Sequence, residues 1–71
     1  PLGSDLELTH YEVSPNLAGR TVQTITLPGE LHVVAIERDG KSFLATDSST
    51  LQAGDTLHLA VLTSASDKVA S

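Results

Sequence analysis

Residues 33–47 read VVAIERDGKSFLATD. A β-branched, apolar run meets two charges, turns at Asp39-Gly40 and returns as a second, half-apolar run. Asp-Gly is a favoured two-residue hairpin loop, because the turn that suits twisted strands needs φ > 0 at both central positions. The first strand reaches back to Leu31 and covers residues 31–38; its partner covers residues 41–45. Strict alternation along the first strand puts Val34 and Ile36 on one face and Val33 and Ala35 on the other.

Working outward, "TLHLAVL" at residues 56–62 is the cleanest strand of the chain. Leu57, Leu59 and Val61 face one way, and His58, Ala60 and Leu62 the other. It follows a turn at Ala53-Gly54-Asp55, where the aspartate carboxylate is placed to accept from nearby backbone N–H groups. Residues 46–50, "TDSST", form a polar loop with Leu51 tucked beneath it. Upstream, residues 5–13 alternate as a strand, with Leu6 and Leu8 on one face and Tyr11 and Val13 on the other. That pattern calls for either a bulge or cover on both faces. Ser14-Pro15-Asn16 ends the strand, since proline removes a ladder donor. Thr21 is placed to cap a short helix over residues 22–25, which Pro28-Gly29 terminates. Ser64 or Ser66 caps a last helical stub. The order is βαβββα, an α+β fold with a mostly antiparallel sheet.

The chain has 71 residues, enough for one small domain. Residues 1–4, Pro-Leu-Gly-Ser, read as the remnant of a cleaved expression tag, which leaves residues 5–71 as the domain. A domain this size buries only roughly 60% of its unfolded surface. With no cysteine there is no disulfide framework and no thiolate metal site. Association with a second copy or with another domain is the usual remaining source of stability. The apolar character of both faces of "VVAI" and "HLAVL" points the same way, because one short helix covers one side of a sheet only. Nine acidic against four basic side chains give a formal charge of −5. Nucleic-acid binding is excluded by that balance, since it needs a basic face. The longest apolar runs, residues 33–36 and 59–62, are far below the ~20 residues of a membrane helix. An intracellular setting fits the absence of cysteine.

Catalysis finds no support. A serine nucleophile needs an adjacent base oriented by a third group, and Asp47-Ser48-Ser49-Thr50 reads as a solvated loop. His10, His32 and His58 lack metal-ligand spacing and read as half-exposed strand residues. His32 is the exception: it stands just ahead of the apolar run 33–36, and its functional reading comes from the family resemblance below, which implies a cleft-facing polar residue there. The acids Asp5, Glu7 and Glu12 read as a solvated face.

Four pieces in this order resemble the TrkA-C (RCK-C) family, the C-terminal regulatory domains of Trk-type potassium-transport proteins and related cation channels and antiporters. They are "YEVS" followed by Gly19-Arg20-Thr21-Val22, the hairpin "VVAIERDG", a threonine-leucine pair, and Gly-Asp leading into an alternating strand in "TLQAGDTLHLAV". The resemblance spans residues 8–61. It implies a βαβββα fold that pairs into homodimers, a cytoplasmic location beside a membrane channel, transporter or antiporter subunit, and no enzymatic activity. No cofactor is required. Several members bind cyclic di-AMP in the cleft between two copies.

By that resemblance the ligand cleft falls on Leu27, Pro28, Gly29, Glu30, Leu31, His32 and Val33 from both copies. Leu27, Pro28, Leu31 and Val33 are the apolar walls, and His32 with the N–H groups of Gly29 and Glu30 are the donors. The family's Arg-Ala-Asn type stretch is replaced here by "LPGELH". The alternative is a structural dimerisation module that binds no small molecule.

Overall fold

A computed structural model describes residues 5–63. It contains β1 (Leu6–Glu12), a 3-10 turn (Pro15–Leu17), α1 (Val22–Ile25), β2 (Leu31–Arg38), β3 (Lys41–Leu44) and β4 (Thr56–Leu62). The four strands form one antiparallel sheet in the order β1-β4-β2-β3. This is the α+β arrangement expected, with the last strand inserted at the centre. The terminal helical stub and the tag remnant lie outside the described residues.

The β2–β3 hairpin forms as read. Asp39 and Gly40 have φ of 53° and 77°, the double positive that the two-residue turn requires. The alternation within β2 does not hold. Val33 pairs with Leu59, but Ala35 pairs with His58 and Ile36 with Leu57, so the register shifts at Val34. The extra residue is a β-bulge, and it resets which face each side chain meets. Val33 and Ile36 therefore share the covered face, at 8% and 0% exposure, while Val34 is 45% exposed. The expected grouping of Val34 with Ile36, against Val33 with Ala35, is corrected by this one inserted residue.

In β1 the reverse happens. Its register against β4 runs without a break from Leu6↔Leu62 to Glu12↔Thr56. No bulge is needed, because most of the strand is exposed on both faces. Val13, just past its end, is the residue that enters the core.

One face of the sheet is closed by α1 and the loops around it. The core consists of Val13, Val22, Val33, Ile36, Leu51 and Leu57, with Leu17, Ile25, Ala45 and Leu59 packed against it. Thr21 stands at the N-cap of α1, but its side chain makes no capping bond. The loop caps the helix instead: the N–H groups of Val22 and Gln23 donate to the carbonyls of Ser49 and Asp47 at 2.9 and 3.0 Å. The same loop is tied to the preceding segment by Gly19 N–H to Leu51 O and Leu51 N–H to Arg20 O, both 2.8 Å. Leu51, almost fully buried, is held where the sequence placed it.

Asp55 is the only buried charged residue among those described, at 2% exposure. Arg38 grips it through two parallel bonds, Nε to Oδ1 at 2.8 Å and Nη2 to Oδ2 at 2.7 Å. The Gln52 N–H donates to Oδ2 at 2.9 Å, as the turn chemistry anticipated. Arg38 Nη2 also donates to Thr50 O at 2.9 Å, and its guanidinium lies 5.3 Å from the Phe43 ring centre. Bidentate arginine–carboxylate pairs are among the stronger polar contacts. This one joins the end of β2, the loop ahead of Leu51 and the start of β4.

The Arg38 hydrogen bonds are the main cause that holds the Asp55 carboxyl below its ordinary value, with the Gln52 N–H and the arginine charge adding to it against burial. A depressed carboxylate contributes stability that is complete above its unfolded value and is lost as pH falls through the folded one. The sheet should thus be undiminished by this pair at neutral pH and lose its contribution below the ordinary aspartate value of 3.8. Asp55→Ala should cost about 2 kcal/mol, because several charge-assisted bonds go together. Arg38→Ala should cost more than Asp55→Asn, since it strands a buried carboxylate without its cation. Urea unfolding at neutral pH ranks the three, and repeating it towards pH 3 should shrink the gap between wild type and Asp55→Ala.

Candidate functional site

The candidate ligand segment begins as a tight turn. Leu27 and Leu31 bridge each other through reciprocal bonds of 3.0 and 2.8 Å, and Glu30 N–H donates to Leu27 O at 2.8 Å. Pro28 occupies the first corner and Gly29, at φ 77°, the second. That is the residue pattern of a type II turn, where the second corner requires positive φ. The turn is fastened to the strand by Gly29 N–H donating to His32 Nε2 at 3.3 Å. An accepting Nε2 puts the proton of the neutral imidazole on Nδ1.

The seven predicted positions do not form a single wall. Leu27 is 52% exposed, and Pro28, Gly29 and Glu30 are exposed with it at the tip. Leu31 and Val33 lie opposite Val61 and Leu59, on the covered face, and Val33 is part of the core. His32 lies opposite Ala60, on the other face. The Gly29 and Glu30 N–H groups, expected as ligand donors, are both engaged within the turn.

The second feature is the face of the sheet that α1 does not cover. Residues directly opposite in an antiparallel ladder share a face, so the register places Leu6, Leu8, Ala35, Leu44, Ala60 and Leu62 together there. Leu8 and Leu44 are 63% and 78% exposed. His10, His32 and His58, which sequence reading treated as separate strand residues, stand on this same face. Val34, at the bulge, and Leu44 were not read as surface residues. Val34 looked like core because nothing in "VVAI" announces the bulge. The polarity of Ser42, which pairs with Glu37 on the open side, was the available signal for Leu44.

Among the described residues no group of three or more His, Asp or Glu is arranged to hold a metal ion, and no helix is long and apolar enough to cross a membrane. The Thr46, Ser48 and Ser49 hydroxyls bond one another and the Thr46 N–H. They shape the loop that caps α1.

Among the described residues, the antiparallel sheet is closed on one face by α1 and its loops and presents exposed apolar side chains on the other. The TrkA-C domain profile matches residues 8–71, and the chain belongs to that family. Among solved structures, one described as "Structure of RCK domain with cda" superposes with a TM-score of 0.66 at 17% identity, covering 93% of each chain. At that identity the likeness concerns the fold. No curated protein matches the sequence. Family membership carries a regulatory role in cation transport, and TrkA-C domains as a class are regulatory rather than enzymatic.

Because Gly29 alone allows the second corner of the turn its positive φ, Gly29→Ala should cost about 1 kcal/mol. No atom lies within 4 Å of the added Cβ, so the loss should come from backbone strain and not from a clash. Urea denaturation measures it, and a loss well above that figure would mean the turn carries more of the fold than its exposure indicates.

Proposed function

We propose that this domain is a cytosolic regulatory module of a bacterial potassium or other cation transport system. It works as a homodimer closed through the open sheet face, and it senses cyclic di-AMP in the cleft between the copies. The observation that carries the reading is the open apolar face beside an exposed turn. The core of six buried residues among those described is small, and covering Leu8, Leu44 and Leu62 with a second copy adds apolar burial to it.

His32 projects on the open side and reaches back to Gly29, so the Leu27–Leu31 turn flanks that face. Two copies related by a two-fold axis bring two such turns to the rims of their contact. A two-fold symmetric dinucleotide suits that arrangement, because each half repeats the same contacts. Leu27 and Pro28 offer apolar surface to an adenine, and His32 Nδ1–H is the donor left free by the turn. The solved RCK domain "with cda" shares this fold, which supports looking for the ligand here. A change in the spacing of the two copies on binding would be the signal passed to the membrane subunit.

The second reading, a dimerisation module without a ligand, is favoured by one specific observation: the N–H groups of Gly29 and Glu30 already have partners inside the turn. Calorimetric titration with cyclic di-AMP separates the two. The sensor reading expects one ligand per two chains, with binding weakened about tenfold by His32→Ala, the loss of one charge-assisted bond. Absence of heat and of thermal stabilisation at millimolar ligand would leave the dimerisation module as the function of this domain.

A further inference from the structure

All three histidines of the chain lie on the open face, and two of them are neighbours. His10 and His58 are directly opposite across β1 and β4. Ladder bonds at Val13 N–H to Asp55 O and Thr63 N–H to Asp5 O put the odd-numbered residues of β1 in the hydrogen-bonded positions. His10 and His58 are therefore a non-hydrogen-bonded pair, the closer kind, with Cα atoms about 4.5 Å apart. Glu37, on the other side of β4, has its Oε1 3.5 Å from His58 Nε2.

The remaining charges on this face are few. From β1 it receives Glu12 beside His10, from β2 Glu37 and His32, and from β3 only Ser42 and Leu44. Arg38 and Lys41 are register partners on the covered side, and Arg20 lies outside the sheet, in the segment before α1. With neutral imidazoles the face thus holds the carboxylates of Glu12 and Glu37, with Glu30 at its rim opposite Leu62, and no cation among the described residues, on a chain whose formal charge is −5. Two such faces repel, and closing them buries the Glu37 carboxylate without a counter-charge, which is costly. A proton on the His10–His58 pair changes both terms. It gives Glu37 a cation already within reach and lowers the negative charge of each copy.

We infer that the open face is a proton-dependent contact between two copies of this chain: association takes up protons at the His10–His58 pair, and acidification tightens the dimer. The inference rests on the face-to-face pairing proposed above and adds its regulation. Two features of the face make a second copy the occupant. Its four strands span roughly 20 Å by 20 Å, so two copies bury on the order of 1,000 Å² in total, the lower limit for a specific contact. An interface of that size is held by a narrow margin, and one pair of protons is enough to decide it. A two-fold contact also repeats the acid–histidine row in both copies, so the effect of protonation is counted twice. Histidine is the side chain whose charge changes in the physiological range, so the response falls where cytosolic pH varies.

Sedimentation equilibrium of the wild-type chain at constant ionic strength, from about pH 8 to about pH 6, is the test; over that range the dissociation constant should fall about tenfold or more. His58→Gln should remove the pH dependence while leaving the circular dichroism spectrum unchanged, since the side chain is 47% exposed. Glu37→Gln should do so differently, by making association near pH 8 as tight as the wild type near pH 6. A dimer whose affinity is independent of pH, or a His58→Gln variant that keeps the wild-type slope, overturns the inference and leaves the dimer reading intact. A chain that stays monomeric throughout overturns both.

Discussion

The Arg38–Asp55 clamp is the contact on which the rest of the molecule depends. Asp55 sits at the mouth of β4 with both carboxylate oxygens bonded, and Arg38 adds the Thr50 carbonyl from the loop. Through these bonds the end of the β2–β3 hairpin, the segment carrying Leu51 and the central strand are fixed to one another. A six-residue apolar core does not define those relations by itself. A buried charge pair is a poor source of net stability when compared with apolar residues, but it discriminates between registers, because any slip of β4 along β2 leaves a buried carboxylate unmatched. In a small domain without disulfides that discrimination is worth more than a few added contacts.

Much of this architecture was legible in the residues. Asp39-Gly40 specified the hairpin through φ, Pro28-Gly29 specified the second turn, and the alternation of "TLHLAVL" specified β4 with both of its faces. Leu51 and the Asp55 turn were also readable, one from an isolated apolar residue in a polar stretch and the other from aspartate following glycine. Three features were not. The bulge at Val34 leaves no trace in a run of four apolar residues, since every register of "VVAI" looks equally good until β4 is placed beside it. The partnership of Arg38 with Asp55 joins residues far apart in sequence, and each has an adequate local explanation as turn chemistry. Thr21 has the right identity for a cap, yet the carbonyls that cap α1 come from residues 47 and 49, supplied by tertiary packing.

The candidate site was legible in its location and not in its form. The segment before the buried strand does form an exposed turn, but β-strand alternation sends His32 to one side and Leu31 and Val33 to the other. What the sequence could not show is that the histidines of three different strands converge on the face that α1 leaves open. That convergence follows from the central position of β4, which carries His58 between His10 on one side and Glu37 on the other. Among the described residues, one face of the sheet is thereby committed to the core while the other stays exposed, which is the face proposed for association, with the Leu27–Leu31 turn at the boundary between them. For a regulatory domain of the TrkA-C family, the proposed dimer would use that division: the closed face would keep the fold constant while the open face carries the contact.

The direct test of this division is an isotope-filtered NMR experiment on a mixture of labelled and unlabelled chains. Contacts between copies should join the methyl groups of Leu8, Leu44 and Leu62 of one chain to the same group of residues on the other, and the covered face should give none. Intermolecular contacts confined to the outer edge of β1, or arising from Tyr11 and Phe43 on the covered side, would contradict the account and place the association elsewhere on the sheet.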